Sequence, residues 1–518
     1  MKNFVVIISI LFQFHLGFAQ DMVITQEGKA IQSTILNQEV KYSIILPKDY
    51  SKSEKSYPVV YLLHGLGGNH YSWLEYGRLT QHIEKAVCND NIQEMIYVMP
   101  EGYRTYYVND FYGKFSYQDM FIKEFVPHID ANYRTIPNNK KRATIGFSMG
   151  GFGALILPLK HPDVFSVAVP LSISVRTDDQ YMTEDAKEWD EQWGRLFGGV
   201  GLLGKARITQ YYQDNSPFHL LNSENLDRFK DLKIYIDNGD DEQTLSRSNE
   251  ELHILLRDLN INHEFRVRNG GHTFEYWRSS LKNGLNFIDD AFNQIQYRGD
   301  EINMLLDTIN NINSNLNLIN DIDFDVLLPK DYTTSFRYYP VIYFVGNFEN
   351  AIRLAMADRI NYQTKRGNFP PSISVFFDLK SGISFESIIS KAQAKYRIRD
   401  GPRFQAIIGF KEGGAKAFQY AVTTNNFTAC AVYDAPIDIQ IFNSLINKND
   451  INSLKSTWFF ISTTDKSQHY KLNGLTHIEL KEKEIYHEYR VDEGYADIHW
   501  FLNGLPAALD FTQKKIHY

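Results

Sequence analysis

Blocks of this sequence recur far along the chain, in the same order and in the same internal frame. Residues 42–69, YSIILPKDYSKSEKSYPVVYLLHGLGGN, align without a gap to residues 324–351, FDVLLPKDYTTSFRYYPVIYFVGNFENA. GFSMGG at 146–151 aligns with GFKEGG at 409–414. FRVRNGGHTFEYWRSSLKNGLNF at 265–287 aligns, again without a gap, with YRVDEGYADIHWFLNGLPAALDF at 489–511. Repeats of this size are whole domains rather than the short units of a solenoid. A chain of 518 residues also exceeds the size at which one core stops growing. The expected organisation is a leader at 1–19, one domain at 20–296 and a second at 302–518, with the join near 295–303.

The leader is read from MKNFVVIISILFQFHLGFAQ, where a lysine precedes an apolar run that ends in small residues. That layout is a secretory signal peptide, with cleavage after Ala19. No later apolar run is long enough to span a bilayer, so the expectation is an exported protein, periplasmic or secreted. A formal net charge of -8 gives no basic footprint and argues against a nucleic-acid partner. The two cysteines, Cys88 and Cys430, make neither a disulfide framework nor a zinc site of paired cysteines. No HExxH stretch occurs, and the acidic run DNGDDE lacks the spacing of a calcium loop. No metal or other cofactor is expected.

Within the first copy, the runs PVVYLLH, EMIYVMP, RATIGFS, FSVAVPLS, LKIYIDN and EFRVRNG alternate with longer helix-like segments. Alternation of buried strands with helices predicts an α/β fold, each copy a mainly parallel sheet flanked by helices. In such sheets ligands sit beyond the carboxyl ends of the strands.

RATIGF, then Ser148, then MGGFGALILPL has the form of a nucleophile elbow, a strand turning sharply into a helix with a serine at the turn. GxSxG alone is a weak signal; the residues around it strengthen it. LLHGLGG at 62–68 follows a strand upstream, and the N–H groups of Leu66 and Met149 are the candidates for an oxyanion hole. Downstream, YIDNGDDEQTL supplies carboxylates, and RNGGHTFEYW places His272 in a glycine-flanked loop. A histidine there can take the serine proton while a carboxylate fixes its tautomer. The order serine, acid, histidine is that of α/β-hydrolases. The tyrosine-rich stretch EGYRTYYVNDFYGKFSY offers Tyr106 and Tyr107 as substrate contacts, and Trp277 is a third. The segment containing KEWDEQWGRLFGG is expected to cover the site as a lid or pocket wall.

These stretches together resemble the esterase D-like family of α/β-hydrolases, which includes feruloyl and acetyl-xylan esterases, S-formylglutathione hydrolases and mycolyltransferases. The resemblance spans roughly residues 40 to 290 and rests on YPVVYLLHGLGGNHYSW, IYVMPEG, GFSMGGFGAL, NGDDEQTL and HEFRVRNGGHTFEYWRSSL. It implies Ser148 as nucleophile and His272 as base. The family's acid is usually an aspartate three positions after the loop glycine, here Gly239. That position holds Glu242, so Glu242 is the first candidate and Asp241 the second, while Asp240 reads as a turn cap or loop solvation.

In the second copy Lys411 stands opposite Ser148 and Ala496 opposite His272. Lys466 and Ser467 stand opposite Asp241 and Glu242, and HGLGG has become GNFEN. The expectation is a degenerate esterase-like domain whose role is left open among glycan binding, packing on the first copy, and homodimerisation. The whole is read as a serine carboxylic-ester hydrolase acting through an acyl-enzyme. By analogy its substrate is an ester such as an acylated oligosaccharide, feruloyl or acetyl. The rivals are an acyltransferase with the same triad and a non-catalytic glycan-binding protein.

Overall fold

The computed structural model describes residues 23–516 except 90, 225, 301–317, 322, 380–381 and 449–450. The expected leader lies outside the described residues, as do residues 301–303 of the expected join. None of the described helices is long and apolar enough to cross a membrane.

The first half contributes β1 (Val23–Ser33), β2 (Gln38–Pro47), β3 (Val59–Leu63), β4 (Ile96–Pro100), β5 (Arg142–Phe147), β6 (Val167–Leu171), β7 (Lys233–Gly239) and β8 (Glu264–Arg268). The second contributes β9 (Leu318–Asn320), β10 (Asp325–Leu327), β11 (Val341–Val345), β12 (Ile373–Phe377), β13 (Gln405–Phe410), β14 (Ala429–Tyr433), β15 (Trp458–Thr464) and β16 (His487–Asp492). Every residue of β3 to β6 is buried. Such continuous apolar runs are those of parallel strands covered by helices on both faces. All six strands expected from sequence form. The antiparallel pair β1–β2, which no periodicity announced, closes the outer edge.

The sheet order is β1-β2-β4-β3-β5-β6-β7-β8-β16-β15-β14-β13-β11-β12-β10-β9. Read inward from either end, the two halves have the same order and the same parallel and antiparallel pairings. They meet at their eighth strands, where β8 and β16 pair antiparallel with Val267 opposite Val491. The halves are therefore not two separate sheets but one, related by an approximate two-fold, with each half covering an edge the other would expose. On one face a single apolar core runs through both halves, from Phe265 and Val267 to Tyr489 and Val491. On the other face each half keeps its own, around Ile145 and Trp277 in the first and Ile408 and Phe501 in the second.

Polar groups repeat across this junction. Arg266 is buried and binds Asp465 of the other half at 2.6 Å, and Arg490 binds Asp240 at 2.5 Å in the reverse sense. His253 pairs with His263 as His477 does with His487, each at 2.8 Å. Burial drives all four imidazoles below their ordinary range, His263 and His487 to about 4.

The helices Thr244–Asp258 and Tyr470–Glu482 face each other here, and the symmetry fails at one point. Glu250 reaches over Gly474, where any Cβ would lie 2.2 Å from its Oε1. Its carboxyl is wholly buried and accepts a hydrogen bond from Tyr489 at 3.3 Å. Burial pushes it up to about 8. An acid whose folded pKa is raised destabilises the fold progressively as pH rises from its unfolded value, about 4.5, toward 8. Glu250→Gln is therefore expected to stabilise the protein by on the order of 4 kcal/mol at pH 8.5 and much less at pH 5. Urea unfolding at the two pH values checks this.

Candidate active site

The turn after β5 carries Ser148 at φ 59° and ψ -120°, between the strand and the helix Met149–Lys160. A serine in that region is strained. The turn persists because the flanking backbone is packed too closely for any side chain. A Cβ on Gly146 would lie 2.2 Å from the Gly150 carbonyl oxygen, and one on Gly150 would lie 2.1 Å from that of Leu63. The Ser148 N–H donates to the Leu171 carbonyl at 3.0 Å, anchoring the turn to the end of β6.

His272 Nε2 is 2.9 Å from Ser148 Oγ, and His272 Nδ1 is 3.0 Å from Glu242 Oε2. The structure thus brings together the serine, the histidine and Glu242. Asp241 is directed elsewhere: its side chain is 67% exposed and 3.6 Å from Lys481, whereas that of Glu242 is fully buried. The other oxygen of Glu242 accepts the Gly239 N–H at 2.9 Å and the hydroxyl of Ser172. Ser172 in turn accepts the Trp277 indole N–H at 2.8 Å. Sequence reasoning missed Ser172; its only signal is its place at the end of β6, and it too has positive φ. On β7, burial pushes the Asp237 carboxyl above its usual range against the pull of Arg268, and Tyr276 donates to it.

The turn Gly65–Gly68 approaches the serine, since a Cβ on Gly65 would come within 3.3 Å of the Ser148 Cβ. Gly68 N–H closes the turn on the Gly65 carbonyl at 3.0 Å. The ring of His64 holds it from behind, with 2.8 Å bonds to Gly102 N–H and the Gly65 carbonyl. The Leu66 N–H lies within this turn, and the Met149 N–H opens a helix, where the first N–H groups have no intrahelical partner.

The three expected substrate contacts are buried side chains. Tyr107 is fully buried, donates to the His64 carbonyl at 3.0 Å and fills the space over Gly153, so it is a packing residue. Tyr106 is also buried, with its hydroxyl 3.2 Å from Ser174 Oγ and 2.8 Å from Gln192. Trp277 stacks on Phe147 with ring centres 4.2 Å apart and presents its face system edge-on to His272 at 4.9 Å, supporting the histidine loop. Other aromatics of the tyrosine-rich stretch are less covered: Phe111 and Tyr112 are exposed, and Tyr103 and Phe115 are half-buried. Tyr103, Tyr112 and Phe115 line a cleft of about 830 Å³ with Arg104, Arg195 and Leu196. The segment containing Trp189 and Trp193 forms its far wall; both indoles are buried, and Trp193 packs on Tyr106 at 4.8 Å.

In the second half the elbow keeps its shape without its chemistry. Lys411 sits at φ 50° and ψ -124°, and Gly409 and Gly413 make the same close approaches as Gly146 and Gly150. The carboxylate has changed places: Asp434, opposite Ser172, accepts from Ser467, opposite Glu242. Phe348, opposite Leu66, is 5% exposed where Leu66 is 39%, and it stacks on Phe501.

An esterase from Mycobacterium tuberculosis is 29% identical over 265 residues, covering 47% of this chain and 54% of that protein. The chain thus spans about half the length of that curated relative. An endo-1,4-beta-xylanase/feruloyl esterase from Xylanibacter ruminicola is 31% identical over 153 residues, 28% of this chain and 20% of that protein. Among solved structures a ferulic acid esterase is 28% identical, with a TM-score of 0.44 over 52% of this chain and 98% of its own. Residues 33–288, which hold the elbow, the glutamate and the histidine, match the model of the Esterase family.

Proposed function

We propose that the protein is an exported serine carboxylic-ester hydrolase whose first half carries the chemistry. The observation that carries this reading is the continuous relay from Glu242 through His272 to Ser148, at 3.0 and 2.9 Å. Ser148 Oγ attacks the ester carbonyl as His272 Nε2 takes its proton, and Glu242 stabilises the imidazolium that forms. The Leu66 and Met149 N–H groups receive the negative charge on the carbonyl oxygen. His272 then protonates the departing alcohol, leaving an acyl-serine. A water deprotonated by His272 releases the acid and restores the serine.

The substrate is proposed to be an acylated saccharide carrying an acetyl or feruloyl group. A cleft in the same half, lined by Tyr103, Tyr112 and Phe115, supports it, since aromatic side chains pack well on a sugar or a phenolic acid. The leader-like residues 1–19 support export. Hydrolysis measured across a panel of feruloyl, acetyl and longer-chain esters tests the substrate class. With each acyl group presented both on a sugar and on a simple alcohol, equal turnover of the two would remove the saccharide from the reading. The same incubations with a free sugar separate water from a sugar as acceptor, because transfer would yield an acylated sugar.

The second half is proposed to be an esterase-like copy without turnover of its own, since lysine, alanine and serine stand at the three positions of the relay. Lys411→Ala is expected to leave kcat within about two-fold of wild type. Loss of hydrolysis in that variant would assign Lys411 to the chemistry.

A further inference from the structure

We propose that the second half is a positioning element for the catalytic loops of the first, acting through Asp240; this rests on the relay described above. Asp240 is not at the surface of its loop: it is 3% exposed and its two carboxylate oxygens are divided between two structures. Oδ1 accepts the N–H of Gly270, two residues before His272, at 3.0 Å. Oδ2 accepts from the Arg490 guanidinium at 2.5 Å and from the Tyr489 N–H at 3.2 Å, both on β16 of the second half. The Asp240 carbonyl accepts from Lys481 of the second half at 2.8 Å. One residue, two positions before Glu242, thus ties the acid loop, the histidine loop and the second half together.

The relay depends on this registration. A displacement of about 1 Å in a catalytic group costs on the order of 10²-fold in rate. Within the first half the two loops also bond to each other, the Asp240 N–H to the Arg268 carbonyl at 3.0 Å and the Asp241 N–H to the Gly270 carbonyl at 2.9 Å; the second half adds the partners of Oδ2, which fix the carboxylate that joins them.

The approximate two-fold supplies the control. Asp465, opposite Asp240, makes the same bonds in reverse: Oδ1 with the Gly494 N–H at 2.8 Å, and Oδ2 with Arg266 at 2.6 Å and the Phe265 N–H at 3.4 Å. The clamp around Asp465 holds loops bearing Ser467 and Ala496, which have no relay to align. A half that has lost its nucleophile therefore still has a reason to keep its fold and its Arg490.

The test uses the full chain with Asp240→Asn, Arg490→Gln and Asp465→Asn, assayed on an aryl acetate across pH alongside thermal unfolding. Asp240→Asn and Arg490→Gln are expected to lower kcat by about ten-fold with little change in KM. They should also move the acid limb of kcat/KM to lower pH, because a displaced Glu242 stabilises the His272 imidazolium less. Asp465→Asn should lose comparable thermal stability yet keep the wild-type kcat and acid limb. If Arg490→Gln does not fold, the isosteric Asp240→Asn carries the test. Wild-type kcat and acid limb in Asp240→Asn would overturn the proposal. Ser148→Ala measured beside them separates the two readings. Activity in Ser148→Ala sinks the relay and the clamp together, whereas inactivity there with wild-type kinetics in Asp240→Asn sinks the clamp alone.

Discussion

Replacing Ser148 by alanine is expected to lower ester hydrolysis by on the order of 10³-fold or more, with the fold and its thermal stability retained. The size follows from the role. In the proposed mechanism the hydroxyl is the atom that bonds to the substrate, so no neighbouring group supplies a partial substitute. The residual rate comes from the Leu66 and Met149 N–H groups acting on a water-attacked ester. The fold survives because, among the described residues, the Ser148 hydroxyl bonds to His272 alone, and the elbow is fixed by the close packing at Gly146 and Gly150. Alanine also tolerates this backbone no worse than serine does. Steady-state kinetics on aryl acetate, with circular dichroism to verify folding, check the outcome.

The second large effect separates two adjacent carboxylates. Glu242→Gln is expected to lower kcat by up to about 10⁴-fold, while Asp241→Asn stays within a few-fold of wild type. A glutamine at 242 can donate to His272 Nδ1, which favours the tautomer with its proton on the nitrogen facing Ser148, so the base can no longer accept. It also removes the charge that stabilises the imidazolium. Asp241 has neither role: it faces solvent beside Lys481, and a surface pair of that kind contributes at most about 1 kcal/mol to stability. Parallel kinetics on the two variants decide the assignment, and a reversal of the two effects would move the acid to Asp241.

The limits of sequence reading here have physical causes. The four central strands β3 to β6 were legible because each is buried along its length and so is written as a nearly continuous apolar run, and β7 and β8 because their aromatic and β-branched residues end in glycine-marked loops. The common strand order of the two halves follows from the gap-free blocks that place their strands in the same succession. The pairing of β8 with β16 was not legible, because it rests on residues some 200 positions apart, Arg266 with Asp465 and Arg490 with Asp240, whose local contexts look like ordinary charged strand ends. Of the roles left open for the second half, packing against the first is the arrangement the sheet displays. Ser148 and His272 could be singled out because glycines mark their turns. The choice between Asp241 and Glu242 could not be made from spacing, since one residue of loop curvature decides which side chain turns inward. Burial of Tyr106, Tyr107 and Trp277 was not legible, because an aromatic residue near a site is as well suited to its wall as to its ligand. In this chain all three are buried in that wall. Asp240, read as a loop residue, is buried because a second sheet edge arrives to cover it.

The most direct measurement is the mass of the intact protein after reaction with a fluorophosphonate, followed by peptide mapping of the adduct. One adduct per chain is expected, on the peptide containing Ser148, abolished by prior acylation with substrate and absent from Ser148→Ala. Hydrolytic activity that persists while Ser148 remains unlabelled, or an adduct mapping to the second half, would contradict the account.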